Sequence, residues 1–293
     1  MIKKEMIQPK QEVIPMHPIQ IFAFSDEATW QVDGQIKALL RNELQGMEIR
    51  GVDSQNIADI SLEKAREVRK KLDDNGLSVW SMGSPIGKID IVNGDFPAHL
   101  EKLKHVLDLS QVLGAENIRM FSFYIPGNDY AVWKNKVMDQ MGEMLRTAEG
   151  SGINLCHENE KGIYGDVAVR CKELLDTFPQ LKNIFDPANF IQSGQDTLEA
   201  WQLLRDRTLY LHIKDALADG RVVPAGKGIG NLPSILKDFI ALGGRQVTIE
   251  PHLTVFSGLK DLERAGEETK MAYTYSSGDE AFDAACNALK ACL

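Results

Sequence analysis

Ile153-Asn154-Leu155-Cys156-His157-Glu158, Asn183-Ile184-Phe185-Asp186, Leu209-Tyr210-Leu211-His212-Ile213 and Gln246-Val247-Thr248-Ile249-Glu250 are four short apolar runs. Each carries a Glu, Asp or His at its carboxyl end. Runs of this length rich in β-branched and large apolar residues read as buried strands. Between them lie helical stripes. Val167, Cys171, Leu174, Leu175 and Phe178 recur at the spacing of one helix face, and Leu198, Trp201, Leu204 and then Leu232, Ile235, Leu236, Phe239, Ile240 repeat the pattern. Strand followed by helix, four times over, implies parallel strands joined by helical crossovers.

The first half continues the alternation. Gln20–Phe24, Met47–Val52, Leu77–Met82 and Asn117–Ser122 read as strands one to four. Helix stripes follow each: Ile36/Leu39/Leu40/Leu44, Ala65/Val68/Leu72, Leu100/Leu103/Val106/Leu107/Leu113 and Val137/Met141/Met144/Leu145/Ala148. Phe282, Ala285, Leu289 and Leu293 suggest a closing helix. Eight such units predict a (β/α)8 TIM barrel spanning residues 1–293 as a single domain. An open doubly wound sheet often carries a Gly-rich phosphate turn after strand one, and Ser25-Asp26-Glu27 is not one. The connection 252–278 is long and holds Phe256, Tyr273 and Tyr275, so it is expected to be a lid or an oligomer contact.

Composition narrows the function. The 293 residues carry a formal charge of −9 and 43% hydrophobic residues, with no basic stripe, which excludes a duplex nucleic-acid binder and fits an enzyme with a small ligand. No run approaches the length of a membrane span. Met1–Val13 is polar and lacks an apolar leader core, so the cytoplasm is expected. Cys156, Cys171, Cys286 and Cys292 form no CxxC pair and read as small buried hydrophobes. Assembly into a homo-oligomer is left open.

In a barrel of this kind the chemistry lies at the carboxyl ends of the strands. Because side chains alternate faces, Glu158 shares its face with Cys156, Asp186 with Ile184, His212 with Tyr210 and Glu250 with Thr248. Three carboxylates converging in a barrel repel one another unless a cation joins them. With one imidazole, they form a mainly oxygen set suited to one divalent metal: Mn2+ first, with Mg2+, Co2+ or Zn2+ as alternatives. Glu160, of the same parity as Glu158, is the alternative strand-five ligand.

The segments His157-Glu158-Asn159, Asp186-Pro187-Ala188-Asn189, His212-Ile213-Lys214-Asp215, Gly226-Lys227-Gly228-Ile229-Gly230 and Glu250-Pro251-His252 resemble the xylose isomerase-like TIM-barrel superfamily. The resemblance covers nearly the whole chain. It implies that Glu158, Asp186, His212 and Glu250 bind the metal, and its Glu-Asn pattern favours Glu158 over Glu160. Ketose 3-epimerases of the group often carry a His where Asn189 stands, and an Arg sooner after the strand-seven His than Arg221.

The implied activity is isomerisation or epimerisation of a sugar or sugar phosphate through a cis-enediolate. Glu158 and Glu250 would be the acid/base pair flanking the sugar. Arg50, Asn189, Lys214, Arg221 and Lys227 are the expected substrate contacts, and Asp215 is expected to orient a ligand from behind. The Gly226–Asn231 loop, opening a helix after strand seven, is an expected phosphate site. Glu48 and Arg119 read as an ion pair inside the barrel, and Trp80, Met82 and Phe123 as an apolar wall beside the sugar. An inosose dehydratase-like lyase is an alternative from the same site chemistry. A nuclease like endonuclease IV would need more histidine than the strand ends carry, and a non-catalytic sugar-binding barrel would need no proton-transfer pair.

Overall fold

A computed structural model describes residues 18–256, 259 and 269–293. The polar start 1–13 and much of the proposed lid, at 257–258 and 260–268, lie outside the described residues. Strands β1 (Gln20–Ala23), β2 (Gly46–Ile49), β3 (Ser78–Met82), β4 (Asn117–Met120), β5 (Asn154–Glu158), β6 (Lys182–Phe185), β7 (Thr208–Ile213) and β8 (Gln246–Ile249) form a closed barrel in chain order, every pair parallel. Helices α1 (Val32–Arg41), α2 (Leu62–Asp74), α3 (Phe96–Leu113), α4 (Tyr130–Ala148), α5 (Ala168–Thr177), α6 (Thr197–Leu204), α7 (Leu232–Ala241) and α8 (Gly278–Lys290) alternate with them.

The helices start and stop where local chemistry directs. Ser61, Asp95, Asp196 and Ser277 accept the orphan amides at the first turns of α2, α3, α6 and α8. Gly114 takes the left-handed conformation at φ 70° and ends α3. The outer core lies between strands and helices, from Val32 and Leu39 round to Phe282 and Leu289. A second, smaller cluster fills the barrel interior: Cys156, Ile184 and Tyr210, with Trp80 and Leu209 against them. Trp80 stacks on Phe22 with ring centroids 5.6 Å apart and meets Tyr210 edge-on. These residues plug the barrel below the strand ends, beneath the polar side chains at the carboxyl rim.

One bulge changes the expected parity. Met47 pairs with Val79 but Glu48 with Ser81, so Trp80 is the extra residue in β3. Ser81 therefore turns inward, bonding Glu48 and Tyr210. Met82 packs in the outer core, and Phe123 packs edge-on against Phe96. The expected apolar wall of Trp80, Met82 and Phe123 is thus not formed at the strand ends: Trp80 is below, in the plug, and the other two face helices. The four cysteines are free, three of them buried.

The barrel closes where β1 meets β8, from Gln20 opposite Gln246 to Ala23 opposite Ile249. The Gln246 amide donates to Gln20 across this seam, 226 residues away along the chain. Outside it, Arg41 on α1 grips Asp283 and Asp279 of α8, and Asn42 adds a third donor.

Candidate metal centre

Strands β5 to β8 bring Glu158, Asp186, His212 and Glu250 together. All four are buried, and each offers one ligand atom within 4.8 Å of the others. Asp186 follows β6 and caps a short helix, Pro187–Gln192, with Oδ1 accepting the Asn189 amide at 2.9 Å. The Asn159 side chain clamps its backbone, donating to the Asp186 carbonyl and accepting from its amide, each at 3.0 Å. Asp186 Oδ2 accepts no hydrogen bond although fully buried; Lys214 Nζ lies 2.8 Å away without the alignment a bond needs. A buried carboxylate oxygen met only by the Lys214 ammonium, and facing two more carboxylates and an imidazole, fits a divalent cation.

His212 is held from both sides. Nδ1 faces Glu158 at 2.8 Å and Glu250 at 3.5 Å, while Nε2 meets Glu48 at 3.0 Å. Burial disfavours its charged form, but Glu158 and Glu48 outweigh that and raise the imidazole well above its usual value. Burial likewise works to raise the carboxyls. It wins at Asp186, pushed up to about 7 against the pull of Lys214. It loses at Glu158, where His212 and Arg119 hold the group below the usual range. It loses further at Glu250, held well below by Lys214, His252 and His212. Lys214 Nζ sits 2.8 Å from both Asp186 and Glu250, and Arg119 is 3.3 Å from Glu158.

The other expected site residues separate into two groups. Asn189 and Lys214 line the cavity over this centre. Arg50, Arg221 and Lys227 do not. Arg50 is buried in a bidentate grip on Asp26 with a further bond to Glu27, so its guanidinium is committed within the protein. Arg221 pairs with Asp219 on the rim, and Lys227 is exposed.

Asp215 does not reach the ligands. Its carboxylate accepts the amides of Gly226, Gly228 and Gly230 at 2.9, 3.0 and 2.9 Å. The loop expected to bind phosphate therefore already holds an anion, and it lies off the cavity. This also explains its glycines, since a Cβ at Gly230 would lie 2.6 Å from the Asp215 carboxylate.

The Glu48–Arg119 pair is not formed either. Arg119 turns to Glu158 and Glu250, and Glu48 serves His212 and Tyr210. Glu160 stands apart from the ligand group and pairs with Lys88 at 2.7 Å.

Several cavity residues had escaped sequence reasoning, Lys88 and His252 among them. Lys88 lies in the irregular stretch between β3 and α3, where no periodicity marks it. His252 follows Glu250 by two residues and takes φ 45°, its Nε2 3.4 Å from Glu250 and 3.5 Å from Glu27. Burial pushes the His252 imidazole well below its usual value, against the opposing pull of Glu250. Glu27, burial-raised to about 8, accepts its amide. The only sequence signal for His252 was its place beside a ligand strand. The cavity itself measures about 290 Å³, the scale of a small ligand.

A profile of the family described as "Xylose isomerase-like TIM barrel" matches residues 36–271. No curated protein matches the sequence. Among solved structures, the probable 3-DHS dehydratase AsbF of Bacillus anthracis superposes with TM-score 0.72 at 16% identity, over 93% of this chain and 98% of that one. The IOLI protein, solved with a bound zinc atom, gives 0.70 at 14% identity over 94% and 98%. The 3-keto-D-glucoside 4-epimerase YcjR of E. coli gives 0.66 at 14% over 94% and 98%. At these identities the likeness establishes the fold. With the profile covering most of the chain, the protein belongs to the xylose isomerase-like TIM barrel family.

Proposed function

We propose that this protein is a divalent-metal-dependent isomerase or epimerase of a small sugar or sugar derivative. The observation that supports it is the convergence of Glu158, Asp186, His212 and Glu250 under a cavity of sugar size. A divalent cation held by these four residues would supply Lewis-acid polarisation of a carbonyl and its neighbouring hydroxyl. Mn2+ is the first candidate, with Mg2+, Co2+ and Zn2+ as alternatives for an oxygen-rich set.

The chain's own groups supply the proton chemistry. Glu158 and Glu250 line the cavity, and nearby cations keep both ionised, as a base must be. One of them takes the proton from the carbon beside the substrate carbonyl, giving an enediolate. Return of the proton to the same carbon from the other face inverts it, and return to the neighbouring carbon isomerises aldose and ketose. Lys214 and Arg119 place positive charge where the oxyanion forms. Asn189 can donate to a substrate oxygen from the same wall.

The test is turnover of a panel of five- and six-carbon sugars with added Mn2+, read together with solvent-deuterium incorporation at the reacting carbon. Metal-dependent exchange into a substrate supports the reading. Metal binding with no exchange into any sugar refutes it.

A further inference from the structure

Beyond the four ligands, the cavity is lined by cations delivered on three separate loops, and we infer that Lys88, Lys161 and Lys270 form a subsite for an anionic group on the substrate, a carboxylate or a phosphate. The inference rests on the isomerase reading only in taking this cavity as the substrate site.

All three loops are fixed by backbone bonds. The Lys88 loop is tied to the segment after β4: the Phe121 amide donates to Ile86 at 2.8 Å and the Phe123 amide to Gly87 at 3.0 Å. Its ammonium lies 4.4 Å from the centre of the Phe121 ring. The Lys161 loop is tied to the same segment, with the Ile125 amide donating to Gly162 at 3.0 Å and Tyr124 bridging Ile163. Lys270 is set by a third tie. The Val222 amide donates to Lys270 at 2.8 Å and the Ala272 amide to Val222 at 3.0 Å. Val222–Val223 in turn pairs with Asp215–Ala216, two residues beyond the His212 strand end. Lys270 is thus carried on backbone continuous with the metal centre.

The charges on this wall are not all committed. Arg119 and Lys214 are engaged by the ligand carboxylates, and Lys88 by Glu160. Lys270 is different. Its ammonium makes no hydrogen bond or ion pair among the described residues, although the side chain borders the cavity. No Phe, Tyr or Trp ring lines the cavity among the described residues, so His252 offers the one small ring face there to a bare sugar. A neutral sugar would be served by the amides and carboxylates, whereas the lysine ammonium groups match a formal negative charge. Because the Gly226–Asn231 amides already hold Asp215, such a charge must be met by side chains.

The experiment is calorimetric titration of the metal-loaded full chain with inorganic phosphate and with malonate. Lys270→Glu and Lys88→Met are compared with the wild type, and turnover is measured on matched neutral sugars, sugar acids and sugar phosphates. At least one anion is expected to bind, weakening with added salt, and Lys270→Glu is expected to weaken it about tenfold or more. Lys270 is exposed, so this variant leaves the core intact. Preference for phosphate or for malonate decides between the two sources of charge.

If neither anion binds the wild type, or Lys270→Glu binds as tightly, the subsite is overturned. Turnover of neutral sugars with no gain from acid or phosphate also overturns it, while upholding the isomerase reading. Lys270-dependent anion binding without turnover of any sugar upholds the subsite and counts against the isomerase reading.

Discussion

Replacing Glu48 by Gln tests whether the side chain behind His212 prepares it as a metal ligand. Glu48 is 1% exposed. One oxygen lies 3.0 Å from His212 Nε2, and the other accepts the Tyr210 hydroxyl at 3.1 Å. The carboxylate thus demands a proton on Nε2 and leaves Nδ1, which faces the other ligands, to bind a cation. A glutamine of the same size cannot meet both demands. If its oxygen stays with Tyr210, its NH2 faces Nε2 and drives the imidazole proton onto Nδ1, where it blocks ligation. If the amide flips, His212 keeps a neutral acceptor in place of a charged one, and two donors oppose Tyr210. Either arrangement costs roughly 1–3 kcal/mol, the difference between charged and neutral or broken bonds, and so weakens the metal about ten- to a hundredfold. Calorimetric titration with Mn2+, beside thermal melts without metal, measures the effect. Mn2+ affinity equal to the wild type would refute the reasoning, and so would a loss of affinity explained by a collapsed fold.

Three further outcomes are expected. Glu158→Gln and Glu250→Gln should each lose about a hundredfold or more in kcat while still binding metal, because an amide coordinates but takes up no proton; Asp186→Asn should act mainly on metal affinity, and solvent-deuterium exchange beside metal occupancy separates the two. Asp215→Asn should lower Tm by about 5–10 °C, since the amide cannot satisfy every loop N–H that the carboxylate now accepts; an unchanged melt would deny Asp215 its role as the loop's anion. His99 accepts the Gly87 amide at 2.7 Å, and burial lowers it from 6.5 to about 4. Its contribution is therefore complete above pH 6.5 and is lost as pH falls toward 4, by up to about 3 kcal/mol; urea melts of wild type and His99→Gln between pH 7 and 4.5 should diverge in slope, and parallel curves would contradict this.

Much of this molecule is written locally. The eight strands fall within three residues of the apolar runs at every end, because a buried parallel strand must be apolar on both faces. Strand alternation alone set Glu158, Asp186, His212 and Glu250 on the faces they share with Cys156, Ile184, Tyr210 and Thr248, and three of those four partners lie buried inside or beside the barrel plug. What escaped depends on contacts across the fold. Nothing near Glu48 in sequence announces His212, 164 residues away. Asp215 and its glycine loop look like a phosphate cradle until the carboxylate is seen to fill it. Arg50 resembled a substrate clamp only while Asp26 and Glu27, on a different strand end, were out of view. The bulge at Trp80 leaves no compositional trace, yet it decides that Ser81 rather than Met82 faces inward.

The seam between β1 and β8 has a consequence for how the chain reaches this state. Its partners are 226 residues apart, so closure pays the largest loop entropy in the barrel and comes late in folding. Until β8 is added, β1 and β7 are both open edges, each a row of unpaired amides and carbonyls ready to template another strand. A nascent chain on the ribosome stays in that condition until residue 249 has emerged. Truncation before β8 should therefore yield an aggregating species rather than a smaller soluble barrel. The Arg41–Asp283 clasp, formed only once α8 docks on α1, then fastens the first unit of the chain to the last.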